Sequence, residues 1–331
     1  MHLNFILTLG AGLLAVLGTA ASATAADSSV RNSRRITDWE FSKDSTSWQH
    51  VTVPHDWAIY GPFDRKYDLQ KVAVEQNGET EETWKTGRTG GLPYVGKGWY
   101  RTVVNIPDTA GKSLTLKFDG AMSHAKVKVN GRQVAYWPYG YNTFTANLDG
   151  VAVPGDNVVE VSLENMPRSS RWYPGAGLYR NVHVVNTDKI HIPTWGTYVT
   201  TPFVSPEEAS VRLEMEITGA GKGEKIGVRT EIISPEGKVV ACNDASYVAH
   251  GQNYSQNFLI SQPELWNPEN PCLYTARTIL EKDGKVVDPM TQDSESASST
   301  ISPKRDFSLT ATLPNSKVSA IIMTSVHLEQ L

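Results

Sequence analysis

The chain has 331 residues, with 31 Lys and Arg against 35 Asp and Glu, a net charge of -4 and 20% charged residues. That balance supplies no basic patch and excludes a protein that grips nucleic acid through its phosphates, while the length accommodates two domains with cores of their own. Cys242 and Cys272 are the only cysteines, so the fold cannot rest on a disulfide framework; two unrelated buried thiols are favoured over a pair formed after export.

The first segment, 1–26, holds an apolar run from Phe5 to about Ala20 and then the small residues Ala21 to Ala26, which offer Ala-x-Ala cleavage sites. It reads as a secretory signal, too short to remain as a membrane-spanning helix. No Cys follows the run to carry a lipid, so the mature chain is expected to be secreted or periplasmic, without a membrane partner.

From Arg34 to Val185 apolar residues recur every second position, as in Leu114, Leu116, Phe118, then Val127, Val129, then Val159, Val161, Leu163. That period belongs to half-buried strands. Asn130-Gly131 lies between two such runs and predicts a two-residue hairpin turn, because both residues tolerate positive φ. Many short strands with frequent Pro and Gly turns predict a β-sandwich over 27–200. A second set of strands is expected around Val211 to Ile217, Ile226 to Ile233, Val239 to Cys242 and Leu273 to Leu280, with turns at Pro235-Glu236-Gly237 and Asp283-Gly284. Its length and spacing over 201–289 suit an immunoglobulin-like sandwich, and Thr187 to Thr201 is the expected joint. The tail, 290–331, changes character: from Thr291 onward it has no Gly, Trp or Tyr, it is dense in Ser and Thr, and Phe307 is its one aromatic residue.

Four segments taken in order resemble glycoside hydrolase family two, the family of β-galactosidases, β-glucuronidases and β-mannosidases. They are Val53-Pro54-His55-Asp56-Trp57 through Phe63; Gly96-Lys97-Gly98-Trp99-Tyr100-Arg101; the run from Phe118-Asp119-Gly120 through Asn130-Gly131 and Gly140-Tyr141-Asn142 to Gly155-Asp156-Asn157; and Arg171-Trp172-Tyr173-Pro174-Gly175 through Val182. Leu265-Trp266-Asn267-Pro268, followed by Leu273-Tyr274, resembles the closing strand of the family's immunoglobulin-like linker domain. The resemblance implies an all-β chain, a jelly-roll sugar-binding sandwich followed by an immunoglobulin-like one, a terminal β-glycoside as ligand and no cofactor. The family's two catalytic glutamates lie on a (β/α)₈ barrel after the linker domain, so no catalytic residue is carried over to this sequence.

Residue chemistry bounds what these segments do. Trp99, Tyr100 and Phe118 are expected in the core, and Gly131, Gly155 and Gly177 at positions needing a glycine backbone. His55-Asp56 reads as a structural or turn pair more readily than as an acid–base pair, since neighbours on an extended segment point to opposite faces. Arg171, Trp172 and Tyr173 are the substrate-binding candidates, because rings stack on sugar CH faces and a guanidinium donates to hydroxyls. In the family this loop approaches the active-site rim; a loop-anchoring cluster within the sandwich is the alternative.

Read one base out of register, with third bases free, the tail permits an ordered series containing FGIR, FFLNG and HHDLG, which resembles the family's linker-to-barrel junction. Met323 ends in G and Thr324 begins with AC, which fixes one of its aspartates. A net frame shift near Met290-Thr291 is therefore expected, leaving an unstructured tail, a chain inactive alone and, as a further reading, docking to a separately encoded barrel. A stand-alone carbohydrate-binding protein is the alternative.

Overall fold

The computed structural model describes residues 31–87, 94–167, 172–251, 253–267, 271–291 and 322–324. The signal segment therefore lies outside the described residues. So does the tail, apart from Met290 and Thr291 at the end of a strand and the three residues 322–324. Among the described residues no helix is long and apolar enough to cross a membrane.

The fold is all-β, as expected, and its strands run in chain order. The first twelve are β1 (Asn32–Arg35), β2 (Asp38–Ser42), β3 (Gln49–Thr52), β4 (Gln70–Val72), β5 (Thr83–Lys85), β6 (Gly96–Ile106), β7 (Lys112–Phe118), β8 (Ala125–Val129), β9 (Arg132–Trp137), β10 (Phe144–Asn147), β11 (Gly155–Asn165) and β12 (Val182–Asp188). A six-stranded sheet in the order β3-β2-β6-β11-β8-β9 faces a four-stranded sheet in the order β1-β12-β7-β10, and β4-β5 form a small ribbon apart. The two-residue period explains the packing: Leu114, Leu116 and Phe118 from one sheet meet Trp39, Phe41, Tyr100 and Val161 from the other, each at most 2% exposed. Tyr100 and Phe118 are in the core, as the sequence suggests. Trp99 is only half-buried, since it neighbours Tyr100 on β6 and must point the other way. At the β8–β9 turn Asn130 and Gly131 have φ of 51° and 78°, the left-handed pair that a tight hairpin requires.

The second sandwich uses β13 (Thr197–Val204), β14 (Glu208–Glu216), β15 (Lys225–Ile233), β16 (Val239–Val248), β17 (Asn253–Ser261), β18 (Leu273–Lys282) and β19 (Lys285–Thr291). A β13-β14-β17 sheet faces one in the order β16-β15-β18-β19, and β20 (Ile322–Thr324) runs parallel to the start of β18. Its core contains Val211, Leu213, Ile226, Val228 and Leu280, and also takes in Ile190, Ile192 and Val199. These last three fall inside the expected joint, ahead of residue 201, and pack with the second sandwich. Both cysteines are free; Cys272 is buried as expected, but Cys242 is exposed, because β16 is an edge strand and position 242 points outward.

One buried ion pair ties the two sandwiches. Asp288 on β19 has no exposed side-chain surface and accepts from Arg31 through Nε at 2.6 Å and Nη2 at 2.7 Å. The same carboxylate accepts from the Ile192 amide at 2.8 Å, while Arg31 also donates to the Ile192 carbonyl at 2.5 Å.

Candidate functional site

The first, second and fourth segments, with Gly140-Tyr141 of the third, converge at one end of the first sandwich, whereas Asn130-Gly131 and Gly155-Asp156-Asn157 lie at the other end of β11. Trp57 opens a short 3₁₀ turn, Trp57–Tyr60, and its ring stacks on Phe41 with centroids 5.5 Å apart. That ring lies against the bare Cα of Gly98, where any Cβ would come within 2.4 Å of it. Asp56 caps the turn: Oδ1 accepts from the Ala58 amide at 2.8 Å. His55 points inward instead, its Nδ1 2.7 Å from the Tyr100 hydroxyl and its ring stacked on Tyr60. The opposite aim of the two side chains rules out an acid–base pair and bears out the structural reading.

Gly177 brings the second loop onto the first. It bridges to Met122, and its φ of 93° admits glycine readily. A Cβ there would stand 2.3 Å from the Tyr100 hydroxyl and 2.7 Å from the His55 carbonyl. Upstream, Asn165 Nδ2 donates to the Gly175 carbonyl at 3.1 Å. The loop so fixed presents Trp172 and Tyr173 at the surface, 58% and 40% exposed. Each is oriented by a bond to another part of the chain. Trp172 Nε1 donates to Tyr141 Oη at 2.7 Å, and Tyr173 Oη donates to Asp56 Oδ2 at 2.7 Å. Tyr141 in turn packs edge-on against Tyr139, with centroids 5.6 Å apart. Arg171, the third candidate, lies outside the described residues. Sequence reasoning missed Tyr139 as a member of this cluster and Asp56 as the anchor of Tyr173; the Tyr-Gly-Tyr repeat at 139–141 was the available signal for the former.

Burial sets the electrostatics of His55, Tyr100 and Tyr173. Burial lowers the His55 pKa, an effect that neighbouring Asp56 opposes and Lys43 reinforces, so the neutral imidazole is favoured. Burial raises the Tyr100 hydroxyl far above its ordinary value. Tyr173 is raised first by burial and then by its bond to Asp56, so it remains a phenol. Asp56 is already engaged by the turn and by Tyr173. The arrangement can offer aromatic faces and hydroxyls to a polyhydroxylated ligand. Among the described residues no group of three His, Cys, Asp or Glu is placed to hold a metal ion.

Comparison with known proteins places this architecture. The family model for glycosyl hydrolases family 2 matches residues 190–293, which begins where the second core begins. A β-galactosidase of Bacteroides ovatus is 32% identical over 251 residues, covering 74% of this chain and 28% of that protein. A β-glucuronidase of Bacteroides fragilis is 31% identical over 266 residues, covering 74% of this chain and 37% of that protein. Among solved structures, a family 2 member from Bacteroides cellulosilyticus superposes with a TM-score of 0.67 at 28% identity, over 78% of this chain and 34% of its own. The chain thus spans only 28% and 37% of the length of these two curated relatives. With two sandwiches in the order the sequence implied and relatives of one kind in both comparisons, the chain belongs to glycosyl hydrolases family 2.

Proposed function

We propose that the chain is the N-terminal portion of an exported, β-galactosidase-like hydrolase that cleaves terminal β-glycosides with retention of configuration. In this reading 27–200 is the sugar-binding jelly roll and 201–289 the immunoglobulin-like linker domain. The observation that carries it is the Trp172–Tyr173 loop, held open at one end of the first sandwich by Tyr141 and Asp56, on a chain whose relatives are named β-galactosidases and β-glucuronidases. Trp172 and Tyr173, with Arg171 beside them, contact the terminal sugar at the rim of a catalytic barrel. The two carboxylates of the reaction belong to that barrel, so the chain alone turns nothing over. The ordered FGIR, FFLNG and HHDLG series that the tail permits in the shifted register supports a frame shift near Met290-Thr291. Nucleotide sequence past Met290 tests this part; an uninterrupted frame with no barrel coding in another frame overturns it.

The enzymatic reading is tested with chromogenic β-galactoside and β-glucuronide, first on the chain alone and then after co-expression with the downstream frame. No turnover alone and turnover on complementation support it. Turnover by the chain alone overturns the assignment of the chemistry to the barrel. The second reading, a stand-alone carbohydrate-binding protein, rests on the same exposed loop. It predicts a calorimetric isotherm with galactosides that Trp172→Ala abolishes, with no gain of activity on complementation.

A further inference from the structure

The second sandwich carries a feature that the first loop site does not use. On the outer face of its three-stranded sheet lies an open cleft of about 420 Å³, within the range of roughly 300–1,000 Å³ in which small-molecule sites fall. Trp195 stands at its end, and two oddities meet in that residue. Its φ is 62°, a left-handed conformation that is unfavourable for a bulky side chain. Its indole Nε1 is buried and finds no hydrogen-bond partner. The turn is clamped on both sides: the Gly196 amide donates to the Pro193 carbonyl at 2.9 Å, and the Glu216 amide donates to the Gly196 carbonyl at 2.7 Å. A Gly or Asn would adopt the backbone of position 195 at less cost, so the turn itself does not account for the ring that is there.

The other groups at the cleft are of complementary kinds. Strand register sets Tyr198 of β13 beside Glu214 of β14, and Glu214 beside Ser255 of β17, on one outward row. Arg212 pairs with Glu214 at 2.7 Å, and Asn253 lies opposite Glu216. Rings alternating with a carboxylate, a guanidinium, an amide and a hydroxyl match the alternating CH faces and hydroxyls of a saccharide. Arg212 offsets Glu214, and with Glu216 as a further carboxylate acceptor the lining disfavours an anionic ligand and suits a neutral, hydroxyl-bearing one.

We propose that this cleft is an accessory binding site for a neutral oligosaccharide, with Trp195 and Tyr198 as its ring contacts and Glu214 as a hydroxyl acceptor. The orphan indole N–H is the donor that a ligand hydroxyl satisfies after a small displacement of the cleft wall. The site lies on the second sandwich and stands or falls independently of the Trp172 loop.

The test is isothermal titration and saturation-transfer NMR on the full chain in a Trp172→Ala background, so that the first loop contributes nothing. The probes are lactose, cellobiose and mannobiose. At least one of them binds, and Tyr198→Ala or Glu214→Gln raises its Kd about tenfold or more, a change of ~1.4 kcal/mol in binding. Trp195→Gly gives a distinctive result, because it removes strain as well as the ring: thermal stability rises or holds while binding is lost. Absence of binding by all three disaccharides overturns the proposal. So does binding that survives Trp195→Gly, Tyr198→Ala and Glu214→Gln with folding intact.

Discussion

Replacing Arg31 with alanine is expected to damage a part of the protein that lies 257 residues away in sequence. Asp288 has no exposed side-chain surface, whereas Arg31 is 18% exposed, so the two ends of the pair are not equivalent. Arg31→Ala leaves a fully buried carboxylate with only the Ile192 amide for a partner. Removing one partner from such a pair costs about 3–5 kcal/mol. Asp288→Asn keeps the shape and an acceptor and leaves the guanidinium its route to solvent, so it costs roughly 1–3 kcal/mol. In the double variant no charge is stranded, and the combined loss falls short of the sum of the two single losses by about 1–3 kcal/mol. Urea unfolding followed by tryptophan fluorescence reads all three. With a slope of ~2 kcal/mol/M, the midpoint for Arg31→Ala drops by roughly 1.5–2.5 M. A loss below about 1 kcal/mol for Arg31→Ala, or strict additivity in the double variant, would refute the view that this pair joins the sandwiches.

Gly177→Ala forces a Cβ to within 2.3 Å of the Tyr100 hydroxyl at a φ of 93°. A loss of about 2–4 kcal/mol is expected in chemical denaturation, and an unchanged midpoint would mean that the two loops are not packed as described. Tyr173→Phe removes the bond to Asp56 but keeps the ring, so thermal unfolding should show a loss of roughly 0.5–1.5 kcal/mol with little change in the near-ultraviolet signal of the core. For Glu231, burial alone would raise the carboxyl. Its bonds to Arg277, reinforced by Arg229, outweigh that and hold its pKa below the ordinary value of 4.5. A depressed folded pKa gives stability that is present above the ordinary value and is lost as pH falls through the folded one. Glu231→Gln should therefore flatten the fall in melting temperature below about pH 4.5; an unchanged slope would remove Glu231 from the acid response.

Much of this architecture was legible because burial writes a period into the chain. Leu114, Leu116 and Phe118 alternate and are all buried, and the Asn130-Gly131 turn needed no tertiary information. Where a polar residue fills an inward position the period breaks. β17 was missed because Gln256 takes a core position between Tyr254 and Phe258, where its Nε2 donates to the Val228 carbonyl at 3.0 Å. β16 was expected to end at Cys242 but runs on to Val248, since an edge strand without a fully buried residue leaves no apolar signature. The loop site was half legible: Trp172 and Tyr173 are exposed as their composition suggests, but the bond from Tyr173 to Asp56 joins residues 117 apart, which no local pattern encodes. The turn role of Asp56 was legible from the extended segment it shares with His55, but its second partner, Tyr173, was not.

The position of β12 between β1 and β7 sets an order of events during synthesis. Until Val182–Asp188 has been made, β7 keeps an open edge and β1 has no neighbour, although the two strands flanking β12 were completed long before. Ser33 and His183, which meet across β1 and β12, are 150 residues apart. At about 5–20 residues per second that gap corresponds to roughly 8–30 s of elongation. β7 itself, complete at Phe118, waits the 64 residues to Val182 with an unpaired edge, roughly 3–13 s at the same rate. The Arg31–Asp288 contact, which needs β19 as well, can close only after β12 is in place.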